Sequence, residues 1–246
     1  MRASLPFLFT LLLHGCLAGA CSGESMEADP NPPPAPPIPE RARVIDFEAA
    51  AAGAPPEGFT FARTGSGDPG QWVVVGTDSP PSGRHALTQR STDPANGRFP
   101  LAIYEGFTGR DVDVSVRFKP VSGEVDQAAG LVWRYRDPDN YYIVRANALE
   151  NNVVLYKVEK GKRTDLPVKG AGRTYGVKQK VPGKAWSELR VTARGNLFTV
   201  SFDGKQIFQV EDSTFQEVGR IGLWTKADSV TEFDDLRIAG LDEKGR

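Results

Sequence analysis

The chain has 246 residues, 30 basic against 31 acidic side chains for a formal net charge of −1, and a hydrophobic fraction of 39%. The charges are evenly mixed and form no basic stripe, so no nucleic-acid partner held by phosphate neutralisation is expected, and the apolar fraction suits a sandwich with one face of each sheet solvated. Both cysteines, Cys16 and Cys21, lie near the N-terminus, and His85 is the only histidine after His14, which removes disulfides, Cys-ligated zinc, thiol catalysis and any two-histidine mechanism from the rest of the chain.

In chain order, Met1-Arg2, the apolar run Leu5 to Leu13 and the small residues Ala18-Gly19-Ala20 supply the charged, apolar and cleavage regions of a signal peptide over residues 1–20. The apolar run is too short for a mature membrane span. With Cys21 directly after it, the segment resembles a bacterial lipoprotein signal, which implies lipidation at Cys21 and an envelope protein whose only membrane contact is its lipid anchor. Ordinary cleavage after Ala20 is the alternative, giving a periplasmic or secreted protein. Residues 21–42 read as a polar, Pro-rich tether through Pro30-Asn31-Pro32-Pro33-Pro34-Ala35-Pro36-Pro37-Ile38-Pro39. At ~3.1 Å per residue such a segment reaches up to roughly 60 Å.

Residues 43–240 read as one all-β domain, ahead of a short C-terminal tail over 241–246. Val112, Val114, Val116 and Phe118 alternate with Asp111, Asp113, Ser115 and Arg117, the pattern of a strand with one buried face. Gly130 to Ala146 reads as a hairpin around Asp137-Pro138-Asp139-Asn140, dense in Trp, Tyr and Arg. Alternation there puts Trp133 and Tyr135 on one face, with Tyr142 and Val144 opposing Tyr141, Ile143 and Arg145. Further strands follow at Asn151–Glu159, Leu189–Ala193 and Phe198–Phe202, then a hairpin through Asp203-Gly204, and last Gly219–Thr225 and Glu232–Ile238. About twelve to fourteen short strands with no helical period predict two stacked antiparallel sheets, a jelly-roll sandwich.

Gly130-Leu-Val-Trp-Arg-Tyr-Arg-Asp-Pro-Asp-Asn-Tyr-Tyr142, Val154-Leu-Tyr-Lys-Val-Glu-Lys-Gly161, Trp186-Ser-Glu-Leu-Arg-Val191 with Phe202-Asp-Gly204, and Gly219-Arg-Ile-Gly-Leu-Trp-Thr225 with Phe233-Asp-Asp-Leu236 together resemble the concanavalin A-like lectin/glucanase sandwiches. Within these, the fragments are most similar to the bacterial 3-keto-disaccharide hydrolase domain family and laminin-G-like modules. The resemblance implies a concave sheet that meets carbohydrate, and for some relatives hydrolysis of 3-keto glycosides or related disaccharides. The Glu-x-Asp-x-(x)-Glu strand motif of the laminarinase-type enzymes is absent, so no residue is assigned a catalytic role. A structural or protein-interaction module is the third reading.

Arg134, Tyr142, Arg145, Asn147, Trp224, Lys226 and Asp228 are the candidate ligand-binding residues: aromatics to stack on sugar rings, arginines central in strands, and polar groups at strand ends. The competing readings are core packing for the aromatics, solvated pairs with acids for the arginines, and turn chemistry for the rest. Asp46 and Glu48 near the first strand and Asp235 in the last are candidate ligands for a structural Ca²⁺, which takes oxygen donors. No other cofactor is expected.

Overall fold

Val112, Val114, Val116 and Phe118 do point into one core, joined there by Leu189, Val191, Ala193, Phe198, Val200 and Phe202. The computed structural model describes residues 25–37, 39, 41–172 and 175–241. The expected signal peptide, Cys21 and tail residues 242–246 lie outside the described residues.

The strands are β1 (Met26–Glu27), β2 (Arg43–Ile45), β3 (Phe59–Gly65), β4 (Trp72–Gly76), β5 (His85–Gln89), β6 (Arg98–Gly109), β7 (Val112–Ser122), β8 (Ala128–Asp137) and β9 (Asn140–Asn147). After them come β10 (Asn152–Glu159), β11 (Lys162–Asp165), β12 (Val177–Lys178), β13 (Ser187–Arg194), β14 (Leu197–Phe202), β15 (Lys205–Glu211), β16 (Gly219–Trp224) and β17 (Val230–Gly240). Sheet A runs β1-β12-β10-β9-β8-β16-β6-β3, with β11 also on β10; sheet B runs β15-β14-β13-β7-β17-β5-β4, with β2 also on β17. Neighbours far apart in sequence, such as β8 with β16 and β7 with β17, come from chain crossing between sheets. The fold is an all-β, two-sheet antiparallel jelly roll.

The outer face of sheet B is polar. Asp113, Ser115, Arg117 and Arg190 lie there between the inward apolar positions, and Arg190 forms a two-pronged bond to Asp113 at 2.7 and 2.8 Å. Sheet A differs from the expectation of one solvated face. Its inner positions, including Leu131, Trp133, Tyr142, Val144, Leu155 and Leu223, join the inter-sheet core. Its outer positions form a second apolar cluster from Phe99, Leu101, Ile103, Val132, Tyr135, Tyr141, Ile143, Val154, Tyr156, Val158 and Trp224. Sheet A is therefore buried on both sides.

The expected pairing of Trp133 with Tyr135 on one face fails for a local reason. Arg134 takes a left-handed φ of 49° and the β8–β9 register shifts between Trp133 and Asp137. This bulge inserts one residue into the alternation, so Trp133 enters the inter-sheet core and Tyr135 the outer cluster. Gly219 sits against the Arg134 backbone, where an added Cβ would collide with it.

The Pro-rich segment is not a free spacer over its described part. β1 pairs parallel with β12. Farther along, the Ala35 N–H donates to the Gly204 carbonyl at 2.9 Å, and the Gln206 N–H to that of Pro33 at 2.9 Å. Arg190 donates to the carbonyls of Pro36 and Pro37. Prolines have no N–H but keep a strong carbonyl acceptor, and a buried guanidinium supplies the donors. The segment straps the edge of the sandwich from sheet A to sheet B.

Candidate ligand-binding face

On the outer face of sheet A, aromatic rings form a bed under two guanidinium groups. Phe99 and Trp224 stack with centroids 5.4 Å apart at 17°. Tyr156 meets Tyr175 edge-on at 6.0 Å, and their hydroxyls are 2.7 Å apart. Arg163, carried by the edge strand β11 opposite Val158, lies over the bed with its guanidinium carbon 4.5 Å from the Tyr156 centroid, 4.6 Å from Phe99 and 5.7 Å from Trp224. Cations over ring faces at such distances are attracted by the ring quadrupole. Arg145 reaches the other side of the same bed, 5.8 Å from both Tyr156 and Tyr175. Burial first, against the pull of both arginines, pushes the Tyr156 hydroxyl well above the usual tyrosine range, so this ring stays neutral.

Beside the bed is a polar corner built mostly from turns. Arg145 is fully buried. It forks onto Glu150 at 2.8 and 3.2 Å and donates to Asn152 Oδ1 at 2.6 Å. Asn152 Nδ2 in turn donates to Glu150 at 3.0 Å. Burial works against the Arg145 charge, yet the acidic groups around it, the Glu150 carboxylate and its hydrogen bonds among them, outweigh it and hold its pKa above the ordinary arginine value. Burial likewise raises the Glu150 carboxyl, but the charge and hydrogen bonds of Arg145 more than offset this and keep it below the ordinary value. Asn147 caps the intervening turn by accepting the N–H groups of Leu149 and Glu150, and its Nδ2 donates to Asp126 at 2.7 Å. Lys226 closes the corner with an ion pair to Asp126 at 2.6 Å. Asp228 accepts the backbone N–H groups of Glu124, Val125 and Asp126. Those donors hold its carboxyl below the usual value against the opposing effect of burial.

Four of the expected ligand residues, Arg145, Asn147, Lys226 and Asp228, thus meet in one corner, and Trp224 lies in the adjoining bed. The structure corrects how they act. Trp224, Arg145 and Asn147 are fully buried, so they shape the face from beneath and leave direct contact to its half-exposed groups. Arg134 and Tyr142 belong elsewhere. Arg134 is buried at the opposite end of β8, donating to the carbonyls of Arg110, Gly195 and Phe215 at 3.0, 2.6 and 2.8 Å. Tyr142 packs in the inter-sheet core against Trp133, Phe198 and Phe215 and donates to Asp212 at 2.6 Å.

Sequence reading missed Arg163, Tyr175, Asp126 and Glu150 as site residues. Arg163 had a signal, since it follows the turn Lys160-Gly161 and lies in a short strand. Asp126 had none, because its partners Asn147 and Lys226 stand 21 and 100 positions away.

The calcium expectation finds no cage. β2 and β17 do lie side by side, but the acids turn to separate protein donors. Asp46 accepts the Glu48 N–H, and Glu48 accepts those of Arg84 and His85 at 2.8 and 2.6 Å. Asp235, at a left-handed φ of 48°, faces Arg237 at 3.3 Å. Among the described residues no group of three His, Cys, Asp or Glu side chains could hold a metal ion.

No protein-family model matches the chain, and no curated protein matches it in sequence. Solved structures are similar in fold. The carbohydrate binding module CBM66 from Bacillus subtilis matches with a TM-score of 0.54 at 20% identity, over 73% of this chain and 93% of that one. The cellulose induced protein Cip1 matches with a TM-score of 0.55 at 13% identity, over 80% of this chain and 96% of that one. At these identities the likeness is one of fold alone, the two-sheet jelly-roll sandwich.

Proposed function

We propose that the outer face of sheet A binds carbohydrate, in an exported protein held to the cell envelope by a lipid at Cys21. The observation that carries the binding reading is the juxtaposition of the aromatic bed under Arg163 with the polar corner of Arg145, Glu150, Asn152, Asp126 and Lys226. Sugars offer apolar ring faces and a periphery of hydroxyls, so they are held by flat side chains beside fixed donors and acceptors. One structure of similar fold is a carbohydrate binding module by its own description, which agrees with this reading. The anchor rests on the sequence before Cys21.

Hydrolysis of 3-keto glycosides is the second reading, favoured by two carboxylates, Glu150 and Asp126, that both feel Lys226. Cleavage by paired carboxyls needs one that keeps its proton as general acid. Glu150 is held in the opposite sense, and Asp126 is tied to a lysine; this favours binding over cleavage.

The test is calorimetric titration of the folded domain with neutral and acidic oligosaccharides and with 3-keto glycosides, following product release in parallel. Tyr175→Ala removes a half-exposed ring at the edge of the bed and should weaken glycan binding about ten- to hundredfold in a domain that stays folded, as thermal melting checks. Turnover by wild type would replace the binding reading with the hydrolase. No binding to any glycan by a folded protein would leave the structural module.

A further inference from the structure

Charge accounting on this face leaves one cation over. Glu150 answers Arg145 at 2.8 Å, and Asp126 answers Lys226 at 2.6 Å. Among the described residues no carboxylate forms an ion pair with Arg163, and its Nη1 is buried against the rings without any hydrogen-bond partner. The same Tyr156 ring lies under both Arg163 and Arg145, so two like charges share one bed and only one is balanced. Arg163 is nevertheless half-exposed and within reach of a ligand. A guanidinium over aromatic rings gains cation–π attraction; with Nη1 closed off against the rings, the fork left for an acceptor is the pair Nε and Nη2. The acceptor whose geometry matches that planar fork is a carboxylate, bound through two parallel N–H···O bonds.

We infer that the glycan bound here is acidic, a uronate-type sugar whose carboxylate pairs with Arg163 while its ring lies against the half-exposed Tyr175. This rests on the carbohydrate reading of the face and adds the ligand's charge to it. Glu150 sets the orientation: a carboxylate placed at the polar corner would meet a fixed negative charge, whereas one placed at Arg163 meets none. Sulfate or phosphate esters would offer the same negative charge with tetrahedral geometry, so they form a separate arm of the test.

Short oligomers of galacturonate, mannuronate and glucuronate would be titrated against the full domain alongside their methyl esters, which keep the sugar skeleton and remove the charge. Sulfated and neutral oligosaccharides complete the set. At least one uronate should bind about tenfold or more tightly than its own ester, with the preference shrinking as salt rises. In Arg163→Gln the acid-to-ester ratio should fall to near one, while Arg163→Lys keeps part of it; thermal melting of both variants verifies the fold. Equal affinity for acid and ester, or binding of neutral sugars alone, overturns the acidic ligand and leaves the carbohydrate reading in place. A preference for sulfated sugars over every uronate also overturns it. Failure of a folded protein to bind any oligosaccharide overturns both.

Discussion

Buried in the last long strand, Asp234 accepts hydrogen bonds from the N–H groups of Ser82 and Asp235, yet burial outweighs them and, with Asp235 next to it, lifts its carboxyl to about 6. Folding therefore favours its protonated form. That contribution is fully present below the unfolded value of roughly 4 and is lost as pH rises through 6, about 2–3 kcal/mol in all. Asp212, Asp228 and Glu150 are shifted the other way, so they lose stability as pH falls and would mask the effect in wild type alone. Urea unfolding of wild type and Asp234→Asn from pH 4 to pH 7.5 isolates it: wild type should lose stability relative to the variant across that range, and a constant difference would refute the shift. The same residue scale shows why side-chain roles were hard to read in advance. Arg134 and Arg145 look alike in sequence, each midway along an aromatic strand. One gathers three loop carbonyls at one end of the sandwich and the other underlies the candidate ligand face, and these partners are set by chain crossings of up to 81 residues.

Among the elements, period-2 alternation was legible wherever the ladder is regular. β7, β13 and β14 face inward as their apolar residues require. It failed at β8, where one left-handed residue reverses the facing of everything after it until the turn. The Pro-rich strap was misread for another reason: composition reports which groups cannot donate, whereas docking here depends on carbonyls that accept. Arg190 supplies two of those donors while paired with Asp113, so its substitution would also strand a buried carboxylate and confuse the result. Removal of residues before Ile38 is the cleaner experiment. It should cost roughly 1–3 kcal/mol, the scale of a few hydrogen bonds lost from partly buried partners. The Gln206 amide, which donates to Pro33, should at the same time lose its protection from hydrogen exchange. Unchanged exchange at Gln206 would mean that the strap is not docked in solution.

At the scale of the whole molecule, the strap, taken with the lipid proposed at Cys21, would constrain how the domain sits on a membrane. An extended tether over residues 21–42 would let the sandwich float far from the bilayer. With β1 docked from Met26 onward, only Ser22 to Ser25 separate a lipid at Cys21 from the folded edge, a reach of roughly 14 Å. The edge then held nearest the bilayer would be that of β12, and β3 lies six strand spacings from β12 across sheet A, about 30 Å at the usual spacing. Because the chain's other cysteine, Cys16, precedes the proposed cleavage site, a single added cysteine would be the one to take the label in the proposed mature lipoprotein. A fluorophore at Lys180→Cys, just past β12, should be strongly quenched by headgroup-attached quenchers in vesicles, and one at Glu57→Cys, just before β3, only weakly. Cys21→Ser should abolish both signals by releasing the protein from the vesicles. Equal weak quenching at the two sites would show a domain floating on a free spacer, and a Cys21→Ser variant that stays in the membrane fraction would remove the lipid anchor itself.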